Sequence, residues 1–177
     1  LEPKPATLWR RFSEAREILE IYHLPRLIPI LATWDDHDFG KNDTNSVEYP
    51  WVKESQDNFL TFFPQDPAYC SYLERGPGIA SAFTFRGQRI YLLDDRSFRL
   101  PKKSADRYAH WGKAQEEWMM RGIRSEATWL MNGSQFFPSV MWKESVSRDH
   151  PAQLEGFLRE LKRTRGKVAF ASGDVHY

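Results

Sequence analysis

Apolar residues recur at helical spacing over residues 7–22: Leu8, Trp9, Phe12, Ala15, Ile18, Leu19 and Tyr22, with Arg and Glu between them. A 3.6-residue period collects these positions on one face, so the segment predicts an amphipathic helix. The run from Leu27 to Trp34 is almost wholly apolar and predicts a buried strand. Residues 47–63 return to helical spacing, with Pro50 in the first turn and Pro64 closing the segment. Residues 79–86 and 89–94, joined at Gly87-Gln88, predict a β-hairpin. A helix over 112–124, carrying Trp118 and Ile123 among its apolar positions, precedes a short buried strand at Trp129-Leu130-Met131. Pro151 opens a last helix running to about Thr164, Gly166 breaks it, and Lys167–Ser172 predicts a final buried strand. The order α-β-α-β-β-α-β-α-β predicts a layered α/β fold.

Chemistry concentrates where two of these strands end. Within Asp35–Asp43 stand four carboxylates (Asp35, Asp36, Asp38 and Asp43), with His37 and the amide of Asn42. Like charges this dense repel, so a compact chain needs a counter-charge there. For oxygen ligands with one imidazole that counter-charge is a divalent or trivalent metal ion. An EF-hand loop is excluded: counted from Asp36, glycine falls at the fifth place instead of the sixth, and Val47 takes the place of the glutamate. The last strand ends in Gly173-Asp174-Val175-His176-Tyr177. Alternation along an extended chain points Asp174 and His176 the same way, as a carboxylate–imidazole ligand pair. In open α/β sheets, sites gather at the carboxyl ends of strands, which predicts that the two clusters meet. A third strand-to-loop junction, Leu92 to Arg99, carries Asp94 and Asp95 beside Arg96 and Arg99. Asp94 is expected in a structural pair with an arginine. Arg96 either braces the loop or offers its planar fork to an anionic substrate. His23, His110 and His150 are expected at the surface, and Cys70 in packing.

Composition narrows the class. Hydrophobic residues at 41% and charged residues at 28% of 177 fit one ordinary globular domain and exclude intrinsic disorder. A net charge of +1 provides no bulk positive field for nucleic acid. Aromatics at 15%, including seven Trp, predict an aromatic-rich core. The single cysteine excludes an intrachain disulfide. No apolar run reaches the ~18 residues of a transmembrane helix, and the first residues lack a signal-peptide pattern. The chain opens without Met and stops one residue past His176, so it is expected to be a piece of a longer protein.

The run Thr33-Trp34-Asp35-Asp36-His37-Asp38-Phe39-Gly40-Lys41-Asn42-Asp43 resembles the signature of the PhoD-like alkaline phosphatases, in the calcineurin-like metallophosphoesterase superfamily. Three further blocks are similar and in order: Leu93–Arg99, Gly112–Trp118 and Ser172–Tyr177. The resemblance implies an α/β/β/α sandwich and a metal-dependent phosphoric ester hydrolase. Such an enzyme acts on phosphate mono- or diesters, with a metal-activated hydroxide attacking phosphorus in line. It implies a dinuclear or multinuclear site of iron with calcium, or of zinc, manganese or cobalt, and a secreted or periplasmic location.

Residue by residue, the superfamily's Gly-Asn-His-Glu/Asp block falls on Asp35 to Asp38. Asp36 would then be a metal ligand in place of Asn, His37 the acid that contacts phosphate, and Asp38 its orienting partner. Asp174 and His176 would be further metal ligands, with Arg96 and Asn42 as substrate-binding candidates. The family's first metal-binding strand and its Gly-Asp block are not found in this sequence. Residues 1–177 are therefore expected to be one partial catalytic domain, with the missing strands in the middle of its sheet. The alternatives are a catalytically degenerate domain of the same fold that only binds, and an interaction module using its aromatics.

Overall fold

A computed structural model describes residues 3–26, 28–68, 70–123, 127–138 and 143–173. Five strands, β1 (Leu73–Arg75), β2 (Ser81–Phe85), β3 (Gln88–Leu92), β4 (Ala127–Asn132) and β5 (Lys167–Ser172), lie in one sheet in sequence order. The first three form an antiparallel meander, and β3, β4 and β5 run parallel. Parallel neighbours need long crossovers. These are supplied by α4 (Gly112–Gly122) before β4, and by α5 (Val146–Asp149) and α6 (Pro151–Leu161) before β5. The β2–β3 turn sits one residue earlier than expected, at Arg86-Gly87, with φ of 49° and 76°. Positive φ at both central positions is the primed turn that matches strand twist.

Tyr91, Leu130 and Phe170 are in register across β3, β4 and β5. They pack on one face with Trp111, Trp118, Met119, Phe136 and Phe157 into the main core. The opposite face presents the registered row Phe83, Ile90, Trp129 and Ala169. It is only half covered: Trp129 is 38% exposed, although parallel sheets ordinarily bury both faces.

A second, aromatic core joins α1 (Pro5–Ile18), α3 (Val52–Phe62) and the acidic segment through Phe12, Trp34, Phe39, Tyr49, Phe59 and Ile79. Trp34 meets Phe39 and Phe59 edge-on, with ring centres 5.2 and 5.1 Å away, the arrangement that aromatic quadrupoles favour.

Two expectations need correction. Residues 28–34 form no strand. Pro29 brings no amide, and the hydrogen bonds of this stretch lie outside any ladder: Ala32 N donates to Gln65 Oε1 at 2.5 Å, and the Thr33 side-chain hydroxyl donates to the Leu93 carbonyl. Of its apolar residues Ala32 and Trp34 pack in the aromatic core, and Ile28 is largely exposed. Among the described residues the expected gap inside the sheet is also absent, since the five strands pair consecutively.

Asp94 ties three segments together. It is fully buried and accepts from Trp34 Nε1, Ile79 N and Ser97 N, each at 2.9 Å, and from Arg96 N at 3.2 Å. Burial raises its pKa, against the hydrogen bonds from Ser97, Ile79 and Trp34. The expected pairing with an arginine side chain is replaced by this ring of neutral donors. Gly78, at φ +66°, is the residue its position requires, because a Cβ there would run into Asp94 Oδ2.

Asp94→Ala should strand these buried donors at about 1–3 kcal/mol each. The unfolding free energy in urea should therefore fall by roughly 3 kcal/mol or more, with a clearly smaller loss for Asp94→Asn, which keeps one acceptor oxygen.

Candidate functional site

Three chain segments meet at the carboxyl ends of the parallel strands. A Cβ on Gly173, just past β5, would lie 3.2 Å from the Gly133 carbonyl, and one on Gly133, just past β4, would strike the Trp34 carbonyl. The ends of β4 and β5 and the start of the acidic segment thus share one edge, as the strand rule predicts. Asp174 and His176 lie outside the described residues.

Beneath that edge is a buried polar network. Arg96, with no exposed surface, directs Nε to Asp35 Oδ1 at 2.7 Å and Nη1 to the Thr44 carbonyl at 3.1 Å. Its Nη2 serves Asp35 Oδ1, Glu144 Oε2 at 2.7 Å and Ser134 Oγ at 3.1 Å. Arg99 reaches Ser134 Oγ at 2.9 Å, Glu144 Oε1 at 3.0 Å and Asp149 Oδ2 at 3.6 Å. Asp95 Oδ2 accepts from Ser134 N at 2.7 Å and Asn132 Nδ2 at 3.2 Å. Arg96 thus directs its nitrogens at Asp35, Thr44, Ser134 and Glu144 within the protein.

Acids outnumber bases here. Asp35, Asp36, Asp43, Asp95, Glu144 and Asp149 face Arg96, Arg99 and the ammonium of Lys102. Burial first, and then the charge of Asp95, push Asp35 up to about 8, with Arg96 offsetting only part of the effect. Arg99 is lowered by burial and by Arg96, a second sign of crowded like charges. Asp35 Oδ2, Asp95 Oδ1 and Glu144 Oε1 are buried without an aligned hydrogen-bond donor; Arg96 lies 3.7 Å from Asp95 Oδ1 and Arg99 3.0 Å from Glu144 Oε1, which leaves Asp35 Oδ2 as the oxygen that calls for a proton or a cation.

The acidic segment folds over this network as one helical turn, α2 (Asp36–Phe39), closed by a capping box between Asp35 and Asp38. Phe39 pins its end in the aromatic core. The Asp36 carboxylate is buried under the turn and accepts from His37 N and Asp43 N, both at 2.8 Å. His37, Asp38 and Asn42 remain exposed. Asp38 accepts from the Asp35 amide at 3.3 Å and makes no bond to the His37 ring, so the expected orienting contact is not formed. Its pKa is raised, by desolvation first and then by Asp36, against the Asp35 amide.

One oxygen each of Asp36, Asp43 and Glu144 lies within 4.8 Å of the others. This set of hard donors fits a calcium-like or manganese-like ion. Lys102 Nζ stands 3.1 Å from Asp43 Oδ2 and 3.5 Å from Glu144 Oε1. Burial would lower its pKa, but the Asp43 bond and the Glu144 charge leave it raised. Glu144 went unread in the sequence: it lies about a hundred residues from the acidic loop, in a segment without periodicity.

His110 and His150 correct another expectation. Both are buried, with Nδ1 atoms 3.1 Å apart and His150 Nε2 3.1 Å from the Leu100 carbonyl. His150 must donate from Nε2, so its Nδ1 accepts from His110 Nδ1–H. Burial, followed by Arg99, lowers the pKa of both. The pair therefore stays neutral and adds nothing to the cationic side. His23 is exposed, as expected.

Among known proteins, the chain is similar to alkaline phosphatase D of Bacillus subtilis (strain 168). The two are 25% identical over 183 positions, which take in 84% of this chain and 31% of the relative. The chain spans about a third of that relative's length. No family model matches the chain, and no solved structure matches it.

Asp35 binds its proton more tightly folded than unfolded, so the folded state holds more protons between pH 4 and 8 and loses stability as pH rises through that window. In metal-free buffer Tm should fall from pH 5 to pH 9, and millimolar Ca2+ or Mn2+ should raise Tm more at pH 8 than at pH 5. Lys102→Ala should tighten binding of the same ion roughly tenfold by titration calorimetry, since a unit positive charge near 4 Å is removed.

Proposed function

We propose that this chain carries part of the catalytic domain of a metal-dependent phosphoric ester hydrolase acting on phosphate mono- or diesters. The observation that carries the reading is the convergence of a buried excess of carboxylate oxygens beneath an exposed histidine at the carboxyl edge of a parallel sheet. Similarity to alkaline phosphatase D over most of the chain supports it. The half-covered sheet face, with Trp129 outward, is consistent with a further layer of the implied sandwich.

In this reading Asp36, with Asp43 and Glu144, holds a hard cation, and Asp174 and His176 add ligands of the kind iron accepts. A bound cation supplies positive charge for the phosphoryl oxygens and acidifies water. The chain's own residues do the rest. His37, at the solvent-facing side of α2, gives its proton to the leaving oxygen, a general-acid effect of about 10²–10⁴-fold. Asp38, one residue on, keeps negative charge beside the imidazolium. Asn42 offers its amide at the mouth. Arg96, wholly buried, supports the turn and does not touch substrate.

Lys102 favours the binding-only alternative, because its ammonium already offsets part of the charge of Asp43 and Glu144. Catalysis decides between the two. The natural polypeptide carrying this sequence should hydrolyse p-nitrophenyl phosphate or bis-p-nitrophenyl phosphate only when metal is supplied. His37→Ala should keep the metal and lose roughly 10²–10⁴ in kcat, and Asp174→Asn should lose metal and turnover together. Equal metal loss in both variants, or a metal-loaded protein inert on both esters, would sink the reading.

A further inference from the structure

We propose that Glu144 is a positioning residue that sets the placement of His37 through the chain Glu144–Arg96–Asp35. The inference rests on His37 being the acid named above. Glu144 is 3% exposed at its side chain and divides its oxygens between two tasks. Oε2 accepts from Arg96 Nη2 at 2.7 Å. Oε1 stands 3.0 Å from Arg99 Nη2 and 3.5 Å from the Lys102 ammonium that also meets Asp43. Arg96 passes the constraint on, with Nε and Nη2 both on Asp35 Oδ1. Ser134 Oγ locks the joint by donating to the same Asp35 oxygen at 3.0 Å while accepting from both arginines.

Asp35 is the N-cap of α2, so the guanidinium grips the residue two places before His37. A four-residue helix cannot hold its own geometry. Its far end is fixed by Phe39 among the aromatics, and its near end by Asp35 on Arg96. With both ends clamped, His37 has one height above the carboxylates. Releasing the near end lets the turn pivot about Phe39 without unfolding the core. Glu144 is the anchor of that clamp, because it holds Arg96 Nη2, the nitrogen that also reaches Asp35, and stands against Arg99 as well.

The test combines 15N-histidine NMR with steady-state kinetics on the natural polypeptide. Glu144→Gln keeps shape and removes charge; because Glu144 also faces the proposed cation, metal content is measured in every variant and kcat is taken per bound metal. Asp35→Asn cuts the other end of the clamp yet retains a good helix cap. Glu116→Gln, a buried acid bonded to Arg107 and Gln153 elsewhere in the fold, controls for loss of any buried carboxylate. The expected result is a shifted His37 imidazole cross-peak and faster amide exchange over 36–39 in Glu144→Gln and Asp35→Asn, but not in the control. With it should come a 10–100-fold fall in kcat, as outer contacts of metal sites show on mutation, while KM stays within about twofold. An unmoved His37 peak in both variants overturns the proposal, and so does a moved peak with unchanged kcat. Unfolding of both variants beside a folded control would show a purely structural role and overturn it too. Failure of the parent protein to hydrolyse either ester, with the His37 peak still moving, would remove the proposed function and leave the clamp standing.

Discussion

A guanidinium with no exposed surface has to find fixed anions inside the protein, because the cost of removing it from water is several kcal/mol even after relaxation. Arg96 finds Asp35 and Glu144, and in doing so it joins parts of the chain that lie far apart in sequence. The turn after β3, the entry to α2, the Ser134 corner after β4 and the segment before α5 all converge on one planar fork. Its geometry explains why a lysine would not serve: three differently directed nitrogens are in use at once. Asp94 performs the complementary task two residues earlier, collecting neutral donors from Trp34, Ile79 and Ser97. The site therefore stands on two buried charged residues of opposite sign that do not pair through their side chains.

How legible this was in the sequence depends on the range of the signal. Helices α1, α3, α4 and α6 and strands β2 to β5 were readable because periodicity and Pro or Gly punctuation act within a few residues. The three-residue β1 and the four-residue α5 were too short to carry a period. Residues 28–34 misled because an aperiodic apolar run has the same appearance whether it joins a ladder or covers an aromatic cluster. The acidic loop was conspicuous through charge density alone, and its place at the sheet edge followed from the strand rule. What could not be read was the far side of each long-range contact. Glu144, Asp149 and the His110–His150 pair owe their burial to packing between distant segments, and no local pattern distinguishes them from surface residues. Arg96 was recognised as important, but only the fold shows which way its side chain turns.

The electrostatic balance gives the site its chemistry. Three agents can quiet the surplus of carboxylate: a proton on Asp35, the tethered ammonium of Lys102, and an external cation. They are not equivalent. The proton is available only below about pH 8, and it sits on the oxygen pair that Arg96 needs ionised for a strong bond. The ammonium carries one charge on a half-exposed stem, so it can swing into water at little cost. An ion of higher charge would draw on Asp36, Asp43 and Glu144, the last two of which Lys102 also meets, and its field would favour the ionised network over the protonated one. The neutral histidine pair points the same way, since it adds no further positive charge. A site arranged like this is least stable when empty at alkaline pH. That is also where an ionised Asp35 would hold Arg96 most firmly once the surplus has been neutralised, so the condition that most weakens the empty fold is the one that best sets the turn carrying His37.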